Sequence, residues 1–238
     1  MLVLDNVRYE YQDEWFVFDL SVAQGSIVAL MGPSGAGKST LLSLVAGFIE
    51  PRSGDIRVQS DGETVSVVGK APYQRPFSML FQEHNLFAHL SVRDNIGLGL
   101  HPGLKLSAAQ REHVVRAAHL VGVGDLLDRL PEQLSGGQRQ RVALARCFVQ
   151  PHSIWLLDEP FSALDPLLRE EMLTLVKTLA AERNITVLMV THHISDARAI
   201  ATHFAFMAQG QVQHMAPIAA LTAQHRDAPL ADFVRAGE

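Results

Sequence analysis

Hydrophobic residues occur along the chain in short runs separated by segments with helical spacing. Runs of strand length lie at 27–31, 77–81, 153–157 and 186–190. Further β-segments, with a turn at 60–62, lie at 2–4, 15–22, 55–60 and 64–68. This alternation predicts an α/β fold with a parallel sheet at its core and an antiparallel β flank near the N-terminus.

The segment from about residue 83 to 150 has a helical pattern throughout. Ser91, Ser107 and Ser135 each precede a periodic run and can cap a helix N-terminus. Another helix is predicted at 166–183, with a proline in its first turn. We therefore predict one domain, residues 1–238, whose parts are a core of 1–82 and 151–215, an inserted helical lobe at about 83–150 and a short helical tail at 216–238.

The charge balance and the cysteine content exclude several kinds of function. The net charge is −5, whereas proteins that bind nucleic acid through its phosphates usually carry a basic excess. Cys147 is the only cysteine, so the chain can form neither an internal disulfide nor a thiolate zinc site. No stretch reaches the roughly 18 apolar residues of a membrane helix, and the N-terminus does not resemble a signal peptide. We expect any action at a membrane to go through partner proteins.

A glycine-rich turn between the strand at 27–31 and a helix from Lys38 to about Gly47 fits the pattern G-x-x-x-x-G-K-[ST] of a P-loop. The glycines let several N–H groups point at one anion, and the helix N-terminus adds partial positive charge. Lys38 can reach the β- and γ-phosphates, and the Ser39 hydroxyl can ligate Mg²⁺. We expect ATP to contact the whole turn, namely Gly32, Pro33, Ser34, Gly35, Ala36, Gly37, Lys38, Ser39 and Thr40.

Two carboxylates follow the apolar strand at 153–157, in the form of a Walker B motif. In open α/β sheets, ligands bind at the carboxyl ends of the strands. Asp158 is placed to hold Mg²⁺, directly or through water, and Glu159 to orient and deprotonate the attacking water. An isolated Asp-Glu pair is more often a solvated turn, but a P-loop in the same chain favours nucleoside triphosphate hydrolysis.

Residues 134–141, LSGGQRQR, resemble the signature motif of ABC ATPases at every position. A serine and two glycines at a helix N-terminus present a hydroxyl and free N–H groups to an anion. Alone, the string could be an ordinary helix cap, but it lies after a P-loop and shortly before a Walker B strand. The chain is thus similar to an ABC ATPase cassette with a P-loop NTPase core, and the resemblance covers about residues 1–215. It implies that Ser135, Gly136, Gly137 and Gln138 bind ATP.

Other family landmarks follow in the expected order. Tyr11 resembles the aromatic residue that stacks on adenine, although Tyr9 competes for this role. Gln82 resembles the glutamine that touches Mg²⁺ and the attacking water. His192 resembles the histidine that contacts the γ-phosphate. The resemblance therefore implies catalytic roles for Glu159, Gln82 and His192, and a metal site of Ser39, Gln82 and Asp158.

Two further segments near these landmarks matter. Residues 162–165, SALD, resemble the D-loop that crosses between subunits. His193 departs from the family pattern, in which an acidic residue is common, and this leaves the charge next to His192 uncertain.

The resemblance also implies partners. In this family each ATP lies between the P-loop of one subunit and the signature motif of another, so we expect an ATP-dependent, head-to-tail dimer of two copies. The helical lobe would receive polytopic membrane permease subunits, and a periplasmic solute-binding protein would act indirectly. This implies a peripheral location on the cytoplasmic face of the bacterial inner membrane. A solvent-facing Phe87 or Leu86 would mark the permease interface, whereas burial of both would make them core residues of the lobe.

Stretches outside the shared nucleotide motifs, above all residues 97–100 and 102–106, look most like the ATPase subunits of bacterial thiamine importers. In such systems the solute does not touch this subunit, so no residue here recognises thiamine. Iron, polyamine and molybdate importers and membrane-remodelling ABC complexes are the alternatives. Soluble ABC ATPases of translation or DNA repair are disfavoured, because they carry two cassettes, coiled coils or zinc insertions.

Overall fold

The computed structural model describes residues 1–60 and 62–237. Asp61, in the predicted turn at 60–62, and Glu238, in the predicted tail, lie outside the described residues. The strands are β1 (Leu2–Tyr11), β2 (Glu14–Val22), β3 (Ile27–Met31), β4 (Ser53–Ser60), β5 (Glu63–Ser66), β6 (Phe77–Leu80), β7 (Ile154–Asp158), β8 (Thr186–Val190), β9 (His203–Ala208) and β10 (Gln211–Pro217). The helices are α1 (Lys38–Ala46), α2 (Val92–Gly97), α3 (Ala108–Leu120), α4 (Gly136–Phe148), α5 (Pro166–Glu182), α6 (Ile194–Ile200) and α7 (Ala228–Gly237).

The strands join in a sheet of order β5-β4-β1-β2-β10-β9-β3-β8-β7-β6. Neighbours from β9 to β6 are parallel, whereas β5, β4, β1 and β2 pair antiparallel. β10 connects the two parts, because it pairs antiparallel with β9 and makes a parallel bridge to β2. The predicted α/β fold with a parallel core and an antiparallel flank is confirmed.

The central strand β3 separates two hydrophobic cores. Its five residues are all buried, and successive side chains point to opposite faces of the sheet. Ile27, Ala29 and Met31 belong to the core beneath the helical lobe and helices α5 and α6. Val28 and Leu30 belong to the core that α1 and the β flank share. The turn after β3 is therefore anchored from both sides.

The helices α2, α3 and α4 pack against one another between β6 and β7 in the chain. The three predicted serine caps are confirmed, since Ser91, Ser107 and Ser135 accept hydrogen bonds from backbone amides three residues later. Ser107 and Ser135 form full capping boxes, in which a glutamine side chain bonds back to the serine amide. The start of α4 is thus a rigid turn.

Arginines, of which Arg75 is buried and Arg183 is exposed, cap two of the helices that carry the functional turns. The Arg75 guanidinium, 2% exposed, donates to the carbonyls of Leu44 and Val45 at the end of α1 (2.8 and 3.0 Å). Arg183 donates to the carbonyls of Phe148 and Gln150 at the end of α4 (2.8 and 3.1 Å). Cations at helix C-termini satisfy orphaned carbonyls and complement the helix dipole.

The predicted tail at 216–238 begins with the end of β10 and a short 3₁₀ turn at Ile218–Ala220, and its helix is α7. Leu230 and Val234 of α7 are fully buried, and Phe233 packs against Phe206 of β9. Among the described residues, no helix combines the length and the apolar character that crossing a membrane requires.

Candidate nucleotide-binding and catalytic site

The turn of residues 32–40, the P-loop turn, joins the buried strand β3 to α1. Gly32 has φ 144°, and a Cβ there would collide with the backbone carbonyl of Met207. Gly37 has φ 95° and is the residue before the first turn of α1, where no side chain caps the helix. The first amides of α1 are therefore available to an anion in the concave side of the turn.

The Lys38 ammonium lies over this turn. Its Nζ donates hydrogen bonds of 2.8 Å to the carbonyls of Gly32 and Pro33. Burial lowers the pKa of Lys38, while the nearby carboxylates of Glu159 and Asp158 act in the opposite direction. A cation held beside free amides forms a preorganised anion site.

Asp158 is the last residue of β7 and is 6% exposed. Burial raises the pKa of its carboxyl, whereas hydrogen bonding from the Ser39 hydroxyl lowers it. Its Oδ1 atom is buried and has no hydrogen-bond partner among the described residues. An unpartnered carboxylate oxygen beside a serine hydroxyl fits a hard cation such as Mg²⁺, which binds through few protein oxygens plus water and phosphate. The described residues contain no cluster of three or more His, Cys, Asp or Glu side chains able to hold a metal.

Glu159 has an unusual backbone and a specific partner. Its φ is +49°, a conformation that L-residues adopt rarely and that recurs at active sites. Its amide donates to the carbonyl of Val190, the last residue of β8 (3.1 Å). Its Oε1 lies 3.1 Å from Nδ1 of His192, whose side chain is 48% exposed. The structure thus brings two predicted catalytic side chains into contact.

The P-loop turn and Glu159 border a cavity of about 460 Å³, whereas Asp158 and His192 are not among the described residues that line it. Gln82 and Glu159 line it together with Tyr11, which is 55% exposed. Tyr9, in contrast, packs against the core between α1 and the β flank. Of the two tyrosines, the cavity therefore favours Tyr11 for contact with a base. The predicted residues that line the cavity are Tyr11, Ser34, Gly35, Gly37, Lys38, Ser39, Thr40, Gln82 and Glu159, and those not predicted are Glu14, Phe16 and Val190.

The turn of residues 134–138, the signature turn, lies elsewhere. Ser135 is exposed, accepts a hydrogen bond from the Gln138 amide (3.2 Å) and donates its own amide to the Gln138 side chain (2.8 Å). None of Ser135, Gly136, Gly137 and Gln138 is among the described residues that line the cavity. Within one chain, the predicted ATP ligands therefore form two separate sets.

Two residues of α4 with structural links to the site were missed by motif reasoning. Gln140, fully buried, hydrogen-bonds the backbone of Glu159 and of Ala163. Arg146 donates to the carbonyls of His84 and Asn85 (2.8 and 2.9 Å), two residues with positive φ just after Gln82. The available signal was the presence of polar side chains next to the apolar run of α4, since polar groups that become buried there need hydrogen-bond partners.

His193 lies among charges of both signs, which include Arg169 and the carboxylates of Asp196 and Glu159. Burial lowers the pKa of its imidazole, and the guanidinium of Arg169 lowers it further. Arg169 forms a two-point ion pair with the buried carboxylate of Asp196 (2.7 and 2.8 Å). The rings of His192 and His193 have centroids 5.0 Å apart, but the bond to Glu159 belongs to His192.

The loop after Gln82 exposes one of the two candidate interface residues. Phe87 is 50% exposed, whereas Leu86 is partly buried against the core beneath the helical lobe. Phe87 borders a mostly apolar groove of about 420 Å³ whose other walls include Phe81, Leu98 and Pro102. Asn95, fully buried, hydrogen-bonds the backbone of Phe87 in both directions (2.9 and 3.1 Å) and so fixes its position.

Comparison with known proteins adds three kinds of match. The model of the ABC transporter family matches residues 17–162. The chain is 74% identical to the thiamine import ATP-binding protein ThiQ of Vibrio cholerae, over 99% of this chain and 98% of the relative. It is 54% identical to the protein of the same name from Yersinia pestis, over 93% and 92%.

Solved structures resemble the fold closely. One is a dimeric ATP-binding cassette in a post-hydrolysis state, bound to ADP and Pi; it has a TM-score of 0.81 and 29% identity over 92% of this chain and 99% of its own. Another is the dimeric structure of a bacterial ABC transporter cassette, with a TM-score of 0.80, 29% identity and the same coverage.

Proposed function

The chain belongs to the ABC transporter family and binds nucleotide, and on that premise we propose that it is the ATP-hydrolysing subunit of a bacterial thiamine importer. The identity of 74% with a thiamine import ATP-binding protein, along almost the whole of both chains, supports the solute. The observation that best supports ATPase activity is the contact of Glu159 with His192, beside the P-loop turn and its Lys38.

Nucleotide binding would use the preorganised parts of the cavity. The amides of the P-loop turn and the Lys38 ammonium, which would exchange its two loop carbonyls for phosphate oxygens, supply the positive field. Tyr11 offers its exposed ring for stacking on the adenine of ATP. Asp158 and Ser39 would hold Mg²⁺, with Gln82 as a further ligand, and a bound Mg²⁺ would neutralise charge on the phosphates.

Hydrolysis needs a base aimed at a water molecule next to the γ-phosphate. The carboxylate of Glu159 is mostly buried and faces the cavity, so it can orient the water and accept its proton. His192 holds the Glu159 carboxylate at 3.1 Å and can turn its exposed ring towards a γ-phosphate. The rate gain would come from positioning, because the dissociative transition state needs little covalent help from protein groups.

The separation of the two ATP-binding turns supports a dimer. A single copy offers the cavity one of the two sets of predicted ligands, and the signature turn of a second copy, with its exposed Ser135, would supply the other set. Two copies, head to tail, would enclose two ATP molecules. Loss of the γ-phosphate removes the interaction that favours the closed state, so the populations shift back to open.

The groove beside Phe87 is our candidate for the contact with the membrane subunits. The groove is mostly apolar and partly open to solvent, and several residues of its walls lie close to Gln82 in the chain. A segment inserted there would therefore respond to a movement of Gln82 when the γ-phosphate is lost. The protein would then act from the cytoplasmic face of the inner membrane as a peripheral subunit. The proposed division is a core of 1–82 and 151–215, the lobe at about 83–150 and the tail at 216–238.

The test is reconstitution with the membrane subunits and the solute-binding protein of a bacterial thiamine importer. Thiamine should raise ATPase activity and labelled thiamine should enter vesicles, while iron, polyamines and molybdate should do neither. Glu159→Gln should keep ATP binding and lower turnover by about a thousandfold, because the base is lost. Near-normal turnover in Glu159→Gln would refute the catalytic assignment, and stimulation by another solute would refute thiamine.

A further inference from the structure

Gln140 is a buried polar residue that lies between two functional elements. It is in the second turn of α4, whose first turn carries Gly136 and Gly137 of the signature turn, and its exposure is 0%. A glutamine in such a place needs hydrogen-bond partners, since an unpaired amide in the core is costly.

Both ends of the Gln140 amide are paired with the loop that begins at the catalytic carboxylate. Its Nε2 donates to the carbonyl of Glu159 (2.9 Å), and its Oε1 accepts from the amide of Ala163 (3.0 Å). Nε2 also lies 3.4 Å from the hydroxyl of Ser162, which itself donates to the carbonyl of Glu159 (3.2 Å). One side chain therefore spans the loop from residue 159 to residue 163.

The backbone of Glu159 depends on such support. With φ at +49° the residue is in a conformation that its side chain disfavours, so neighbouring contacts must hold it there. One contact is its amide bond to Val190, and the others are three bonds to its carbonyl, one from Gln140 and two from the amide and the hydroxyl of Ser162. The bonds to the carbonyl therefore help to fix the backbone from which the carboxylate reaches His192.

The signature turn and this loop also touch directly. A Cβ added to Gly137 would lie 3.1 Å from the carbonyl oxygen of Ala163 and 3.3 Å from the side chain of Leu164. The close approach leaves α4 little freedom to move against the loop without disturbing the bonds of Gln140.

We propose that Gln140 is a positioning residue for hydrolysis, which holds the backbone of Glu159 and Ala163 to the helix that begins with the signature turn. The inference rests on the proposed function, because in the dimer that turn would contact the neighbouring nucleotide. In the dimer, Gln140 would then keep the catalytic base of one ATP site aligned with the helix whose N-terminus contacts the ATP of the other site.

The test compares Gln140→Met, which fills the space but makes no hydrogen bond, with Gln140→Glu in the reconstituted transporter. Gln140→Met should lower kcat by about 100-fold, the size of effect that a small displacement of a catalytic group produces, and leave KM for ATP unchanged. Gln110→Met is the matched control, because Gln110 also bonds a backbone amide of the lobe (2.9 Å) but lies outside the catalytic loop. Its kcat should equal that of wild type.

Gln140→Glu separates positioning from general loss of structure. When ionised, the new carboxylate can accept from the Ala163 amide but cannot donate to the Glu159 carbonyl; protonation restores both bonds. Burial raises the pKa of such a carboxyl. The ratio of the kcat of Gln140→Glu to that of wild type should therefore rise as the pH is lowered from about 8 to about 6, while the ratio for Gln140→Met stays flat.

Wild-type kcat in Gln140→Met would overturn the proposal, and so would a flat ratio for Gln140→Glu or an equal fall in Gln110→Met. Glu159→Gln, assayed beside them, reports on the proposed function separately. If Glu159→Gln keeps its turnover, the ATPase mechanism itself fails. If Glu159→Gln is inactive and Gln140→Met is normal, only the role of Gln140 fails.

Discussion

The P-loop turn and the signature turn are both glycine-containing turns at the N-terminus of a helix, yet their surroundings differ. The P-loop turn follows a strand buried on both faces, lines a cavity and holds the Lys38 ammonium in place with two carbonyls. The signature turn exposes Ser135, is closed by its own capping box and lies apart from that cavity.

This difference indicates separate tasks. Free amides and a fixed cation prepare the P-loop turn to bind phosphate in a single chain. The Ser135 hydroxyl accepts from the Gln138 amide but keeps its own proton to donate, so the signature turn can contact an anion that a second molecule brings. The first turn should therefore control affinity, and the second should control closure and turnover.

The largest effect should come from Ser135→Arg. A long cation in the signature turn would block the approach of a second copy, so ATPase activity of the transporter should fall at least about 100-fold through misplaced catalytic groups. ATP binding to the isolated chain, measured by calorimetry with Glu159→Gln as the background, should be unchanged. Full activity in Ser135→Arg would mean that the two turns do not share a nucleotide.

Lys38→Ala should show the reverse pattern. Loss of a charged hydrogen-bond donor costs about 2–3 kcal/mol, so the affinity of the isolated chain for ATP should fall by about 30- to 100-fold. Calorimetric titration of the variant measures this directly. An unchanged dissociation constant would contradict the assignment of the P-loop turn.

A smaller effect separates the signature turn from an ordinary cap. Ser107 and Ser135 form the same capping box on α3 and α4, and replacing either with alanine should lower the free energy of unfolding by about 1 kcal/mol. Only Ser135→Ala should also lower the ATPase activity of the transporter. Equal activity of Ser107→Ala and Ser135→Ala would reduce the signature turn to a structural cap.

The smallest effect concerns the free energy of unfolding that the protein loses by burying the carboxylate of Asp158 at the proposed Mg²⁺ site. Because burial raises the pKa of Asp158 above its value in the unfolded chain, stability decreases as the pH rises through the folded pKa. Asp158→Asn should remove this dependence and raise the free energy of unfolding at neutral pH, without nucleotide, by on the order of 1 kcal/mol. Chemical denaturation at two pH values measures it, and a destabilised variant would show that the carboxylate supports the fold.

Motifs that are continuous in sequence were predictable from local physical chemistry. The P-loop turn, the strand before Asp158 and the three serine caps each depend on residues within one turn or strand, and each was placed correctly. The alternation of apolar strands and helices likewise determined the α/β class, because burial of one face imposes its period on the sequence.

Other features required the tertiary structure, because they join residues far apart in the chain. Packing placed Tyr11 at the cavity and Tyr9 in the core, and it exposed Phe87 while covering Leu86. The bonds of Gln140 to Glu159 and of Arg146 to the loop after Gln82 span 19 and more than 60 residues. The local sequence pattern indicates the hydrophobic period and the turn residues of a segment. Which distant polar groups come into contact is decided only by the packing of the sheet against the helical lobe.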